Sequence, residues 1–199
     1  MRKLCHNPNM NKYIALDCET SGISTRDFKP ALLTVYIAVL DENFNTVDEL
    51  ELKTKPDDGI YHVTPKSLDV NKINLVEHDK VAITYKEAGT KLFDFIKKNY
   101  NGERLIPVGH GIAFDCRFLQ HTIISAGSWE RFISYRTLDT GVIGRFLCVC
   151  GVIPENTGGL ESLMLALEIP IVNVFHDAKT DTLYTVQVLK ELIKRNKGF

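Results

Sequence analysis

Tyr13-Ile14-Ala15-Leu16-Asp17-Cys18-Glu19-Thr20-Ser21-Gly22 runs from four mostly apolar residues into an Asp-x-Glu pair and then a Ser-Gly break. The apolar run predicts a short buried strand, and Ser21-Gly22 its exit. Side chains two apart on a strand share a face, so Asp17 and Glu19 would project together from the strand's end. Two carboxylates side by side repel, and burial penalises both. A hard cation such as Mg²⁺ or Mn²⁺ between them would remove that cost, because oxygen donors suit such ions. Alternatively, the strand stops before Asp17 and both acids are solvated turn residues.

Outward from this stretch, residues 31–41 form a continuous β-branched run that predicts a second buried strand. Asp41-Glu42-Asn43 marks a turn, and residues 45–54 alternate as a partner strand. The three strands make an antiparallel meander. Residues 55–83 carry Pro56, Gly59 and Pro65 and predict loops with short helices, one of them beginning at Thr64-Pro65. Thr84-Tyr85-Lys86-Glu87 is a capping box, followed by Ala88, Leu92, Ile96 and Tyr100 on one helix face, and Asn101-Gly102 ends that helix. A fourth strand is expected at Leu105–Val108, then a helix carrying Phe114, Phe118, Thr122 and Ala126 and closed by Gly127. A fifth strand is expected within 132–138 and a helix over 139–150. A short helix follows through Leu160, Leu163 and Leu167, and the last helix runs from about Asp177 to Lys194. The fold class is α/β, a mixed five-stranded sheet flanked by helices, in one domain spanning 1–199 with its core at about 12–196.

With 44% hydrophobic and 25% charged residues, the chain has an ordinary globular composition. A net charge of −1 excludes a strongly basic nucleic-acid coat, so any nucleic acid would be held locally. No apolar run approaches the ~20 residues needed to span a bilayer, and Met1 to Lys12 lacks the apolar core of a signal peptide. A cytoplasmic, reducing location without a membrane is expected. Cys5, Cys18, Cys116, Cys148 and Cys150, odd in number and scattered, fit it as core or surface thiols, and Cys148-Val149-Cys150 has no matching His or Cys cluster for zinc.

Two more acidic stretches bear on the Asp-x-Glu pair. Asp115 lies in Phe114-Asp115-Cys116-Arg117-Phe118-Leu119, where a helix should begin. Alone it is accounted for as an acid complementing the helix dipole. His176 and Asp181 lie in Phe175-His176-Asp177-Ala178-Lys179-Thr180-Asp181, at the start of the last helix. The positive end of a helix favours a neutral, proton-accepting imidazole. Alone, this stretch reads as an ordinary cap in which Asp177 serves the helix start.

Taken in order, Asp-x-Glu on a strand, Phe-Asp-x-x-Phe-Leu opening a helix and His-x4-Asp opening the last helix resemble the DEDDh (DnaQ-like) family of 3′→5′ exonucleases. That family includes proofreading exonuclease subunits, ribonuclease T and oligoribonuclease. Val63-Thr64-Pro65-Lys66-Ser67-Leu68, Val70-Asn71-Lys72-Ile73 and Gly159-Leu160-Glu161-Ser162-Leu163 before Ile169-Pro170 are similar to the family's connecting segments.

The resemblance implies a ribonuclease H-like fold. It implies two divalent metal ions, Mg²⁺ or Mn²⁺, held by Asp17, Glu19, Asp115 and Asp181, with His176 as general base. Nucleoside 5′-monophosphates would leave from the 3′ end of single-stranded DNA or RNA. Thr20 and Gly22 would approach the terminal nucleotide, and His62, His110, Phe114 and Leu119 are further substrate candidates. Many relatives carry His-Asn before the Phe-Asp motif, whereas this chain has His110-Gly111. The missing amide must be supplied otherwise, with His110 as a stand-in. A polymerase or a second copy of the chain is the protein partner that relatives suggest. The alternative to an enzyme is a catalytically silent nucleic-acid-binding or scaffold module on the same fold. A silent module would have little physical reason to keep clustered like charges.

Overall fold

The structure, a computed structural model, describes residues 11–155 and 158–196. Cys5 and most of the polar lead-in lie outside the described residues. Strand β1 (Tyr13–Thr20) pairs antiparallel with β2 (Leu32–Leu40), which pairs antiparallel with β3 (Thr46–Lys55). Short helices α1 (Pro65–Asn71) and α2 (Leu75–Val81) follow, then a two-residue strand β4 (Ile83–Thr84). Helix α3 (Tyr85–Asn99) leads to β5 (Ile106–Gly109), which lies parallel to β1. Beyond it come α4 (Ile112–Thr122), α5 (Ala126–Phe132) and β6 (Leu138–Asp139). Helices α6 (Thr140–Val149), α7 (Leu160–Ala166) and α8 (Ala178–Asn196) complete the described chain.

The strands form one mixed sheet in the order β4-β3-β2-β1-β5-β6. It has six strands rather than the expected five, because Ile83-Thr84 pairs parallel with Thr54-Lys55 just before α3 begins. The expected strand within 132–138 is reduced to a bridge between Leu105 and Ile133, and pairing resumes only at Leu138. The helix expected from Phe114 to Gly127 is two helices. It stops at Thr122, and the Ser125 hydroxyl accepts the Ser128 N–H to cap a new helix in which Gly127 is interior. A helical apolar period therefore ran across a break that only the cap reveals.

The pleat of β1 divides the interior. Ile14, Leu16 and Cys18 pack with Leu92 and Ile96 of α3 and Leu119 of α4. Ala15 faces the opposite side, with Ala178, Val186 and Leu189 of α8. Asp17 and Glu19 share the parity of Ala15, so they emerge on the side where α8 begins. Helix α3 starts as its capping box dictates. The Thr84 N–H donates to Glu87 Oε2 at 3.0 Å, and Ala88, Leu92 and Ile96 are fully buried.

Gly89 sits on α3 where a Cβ would stand 2.1 Å from the carbonyl oxygen of Ile123. That neighbour is backbone and cannot rotate away. Gly89→Ala is therefore expected to destabilise the fold by about 2 kcal/mol, despite alanine's better helix propensity. Urea unfolding checks this, and a neutral or stabilising result would contradict the packing.

Candidate active site

Asp17 and Glu19 stand half-buried at the end of β1, and Asp181 reaches them from the first turns of α8. One carboxylate oxygen from each lies within 4.8 Å of the others. Asp177 holds the start of α8, its Oδ1 accepting the Thr180 N–H at 2.9 Å. This sets the register that turns Asp181 back toward β1. Asp115 is almost fully buried (3% exposed), and its Oδ1 accepts the Cys18 N–H at 3.1 Å. That bond fixes α4 to β1 between the two strand acids. Asp115 stands behind the tight trio rather than in it, close enough for its charge to act on Asp17.

Burial raises the pKa of every one of these acids. Asp17 is pushed well up by desolvation, then by the charges of Asp115, Glu19 and Asp181. Glu19 is pushed up to about 7 by burial and by Asp181, Asp177 and Asp115. Asp115 is pushed up to about 7 by burial, against the hydrogen bonds it accepts. Asp181 is raised by burial, against the His176 backbone N–H that donates to its Oδ2 at 3.1 Å. Asp181 Oδ1 is buried with no hydrogen-bond partner among the described residues. A buried, unpartnered carboxylate oxygen beside two further acids is a costly arrangement for folding alone. It fits a hard divalent cation, which takes oxygen donors and removes both the repulsion and the orphaned lone pair. Among the described residues this is the only group of three or more metal-ligating side chains so placed, and Cys148 and Cys150 take no part in one.

His176 lies two residues before α8, exposed, with φ +66°. A non-glycine residue in the left-handed region is uncommon and costs conformational energy. Here it turns the backbone N–H onto Asp181 while the side chain faces the groove bordered by Glu19 and Asp177.

The substrate candidates are placed less uniformly. The Thr20 hydroxyl donates to Gly22 O at 2.8 Å. Gly22 is buried, and a Cβ there would come within 2.8 Å of the Phe28 ring, so its missing side chain is used in packing the connector. Phe114 is exposed at the start of α4, its ring 5.4 Å from that of Phe118, while Leu119 is in the core. His110 is turned away from the acids. Its Nδ1 lies 3.0 Å from Thr140 Oγ1, and its Nε2 donates to Gly158 O at 3.1 Å. The His62 carbonyl accepts the Ser21 hydroxyl at 2.6 Å.

The amide beside the acids comes from Asn71, a residue to which the sequence assigned no role. Asn71, nearly buried at the end of α1, hydrogen-bonds the Glu19 side chain and donates to Thr20 O at 3.1 Å. Gly111 takes φ +79° and donates its N–H to Asp139 Oδ1 at 3.0 Å, a left-handed turn that sets the start of α4.

Several solved structures share the fold that carries these residues. E. coli exonuclease I in complex with a 5cy-dT13 oligonucleotide superposes with a TM-score of 0.74 at 17% identity, over 94% of this chain and 41% of that one. S. pombe Pop2p in its Mg²⁺- and Mn²⁺-bound form gives 0.63 at 14% identity, over 93% of this chain and 84% of Pop2p. A 3′-exonuclease that recognises the histone mRNA stem-loop gives 0.64 at 10% identity, over 95% and 67%. The chain has the fold of these proteins. It spans about 40% of the length of exonuclease I. No family model and no curated protein sequence matches the chain. No helix among the described residues is long and apolar enough to cross a membrane.

Proposed function

We propose that the protein is a divalent-metal-dependent 3′→5′ exonuclease that hydrolyses the terminal phosphodiester of single-stranded nucleic acid. The observation that carries this reading is the convergence of Asp17, Glu19 and Asp181 within 4.8 Å, with Asp115 behind them and Asp181 Oδ1 unpartnered. A fold shared with exonuclease I bound to an oligonucleotide and with Pop2p bound to Mg²⁺ and Mn²⁺ supports it.

In this reading Asp17, Glu19, Asp115 and Asp181 hold two divalent ions. When bound, such ions stabilise charge on the attacking and leaving oxygens of the phosphate. Asn71 holds Glu19 through its amide, and the Cys18 N–H holds Asp115, so both acids keep their orientation between turnovers. An imidazole nitrogen of His176 accepts a proton from the attacking water. The water oxygen bonds to phosphorus, the bond from phosphorus to the 3′ oxygen of the preceding nucleotide breaks, and a nucleoside 5′-monophosphate leaves.

The test is incubation with 5′-labelled single-stranded RNA and DNA in Mn²⁺ or Mg²⁺. A ladder shortening from the 3′ end and abolished by EDTA is expected. Absence of cleavage on both polymers, or cleavage that persists in EDTA, would remove the proposal. His176→Ala should lower kcat about 10²-fold or more while leaving Mn²⁺ binding within about twofold of the parent. Unchanged kcat would remove His176 from the reaction.

A further inference from the structure

One groove opens on Glu19 of the acid cluster and another runs along α4, past Phe114 next to Asp115, and their linings have opposite electrical character. The larger, about 520 Å³, passes from Glu19 and Asp177 over Glu51 and Glu77, with only Lys53 and Lys179 as cations. The second, about 320 Å³, lies beside the exit of β1 and along α4. It carries Lys29, Arg117 and His121 and no carboxylate, with Ile23 and Phe114 as its exposed apolar residues. Among the described residues neither Lys29 nor Arg117 is in an ion pair. His121 Nδ1 donates to Arg117 O at 2.7 Å, which leaves Nε2 facing outward. In a chain of net charge −1, a groove free of carboxylates next to the helix that carries Asp115 is unusual placement.

We infer that the α4 groove seats the strand 5′ to the scissile bond, with Lys29 and Arg117 taking its backbone phosphates. The inference rests on reading the acid cluster as a 3′-exonuclease site. A polyanion laid over the larger groove would meet four carboxylates, whereas along α4 each phosphate meets a cation. Arg117 and His121 lie one turn apart on α4 and share the face that carries Phe114, while Asp115 stands about 160° around the helix from Arg117. The strand would therefore reach the acids over the Phe114 edge of α4, its phosphates on the cationic rim. Such contacts position the strand without reading its sequence.

Arg117 and Lys29 are exposed, so replacing both with alanine should leave the fold intact. The double variant Lys29→Ala/Arg117→Ala is compared with the parent on a 12-nucleotide oligodeoxythymidine, its ribose counterpart, and a dinucleotide whose only phosphodiester is the scissile one. The 12-mer-to-dinucleotide ratio of kcat/KM should fall about tenfold, mainly through KM, on both sugars. The salt dependence of KM on the 12-mers should become shallower by about 1.4 log units per log unit of salt. The matched double variant Lys53→Ala/Lys179→Ala in the other groove should change neither quantity. An unchanged ratio in the α4 variant, or a fall in the Lys53/Lys179 variant instead, overturns the inference. Anisotropy of a fluorescent 12-mer separates this question from catalysis. If the parent binds but cleaves nothing, the exonuclease reading fails while loss of binding in the α4 variant upholds the groove. No binding by the parent, or equal binding by both proteins, overturns the groove as well.

Discussion

Asp17→Asn is expected to lower 3′-exonuclease activity by about 10³-fold or more and, in the same protein, to raise the stability of the metal-free state. The opposite signs follow from one cause. Asp17 is pressed by burial and by the charges of Asp115, Glu19 and Asp181, so its ionised form costs folding energy when nothing compensates. Asparagine keeps the shape and removes the charge. Metal-free protein should then melt higher than the parent at pH 7.5, because one member of a repelling set has gone. The same change removes a ligand, so positioning and electrostatic stabilisation of the phosphate collapse together. Kinetics on a labelled single strand and thermal melts in EDTA give the two readouts. A variant that loses activity and also melts lower in EDTA would make Asp17 a structural residue. A variant that keeps full activity would take Asp17 out of the site.

The part of this arrangement that was legible in the sequence is the part that local periodicity decides. Parity along β1 puts Asp17 and Glu19 on one face, and the interruption of a helix start by Asp181 gives the third acid a defined turn. The capping box at Thr84 likewise fixed where α3 begins. What escaped depends on contacts between distant segments. Asn71 ends the short helix that Thr64-Pro65 announces, but its role exists only because α1 packs against Thr20, 51 positions away. His110 stands in the motif position where a substitute for the absent amide was expected. The Thr140 hydroxyl and the Gly158 carbonyl, both supplied by later segments, claim its ring. Strand β4 escaped because a two-residue pairing carries no periodic signal. The break between α4 and α5 escaped because Ala126 continues the apolar spacing of α4 by coincidence.

Divalent-metal affinity should fall by on the order of a hundredfold or more between pH 7.5 and pH 5.5, because protons and metal compete for the same carboxylates. Glu19 and Asp115 are both raised to about 7. At pH 5.5 each would be ionised in only roughly 3% of metal-free molecules, and the metal must displace both protons. Stability of the metal-free protein runs the other way. A carboxyl with a folded-state pKa above its unfolded value binds more protons when folded, so its contribution is intact at low pH and is lost as pH rises. For Glu19 and Asp115 the loss spans the interval from the ordinary carboxylate range up to about 7. The acids with lowered pKa, among them Asp41, Asp48 and Glu49, are mostly ionised above pH 5 in both states and add little slope there. The melting temperature in EDTA should therefore decline from pH 5 to pH 7.5. Saturating Mn²⁺ should reverse most of that decline at pH 7.5 and little of it at pH 5. Calorimetric titration with Mn²⁺ at the two pH values, beside melts with and without the ion, measures both effects. Equal affinities at pH 5.5 and 7.5, or a metal-free melting temperature that rises across the interval, would show that these carboxyls are ordinary solvated acids.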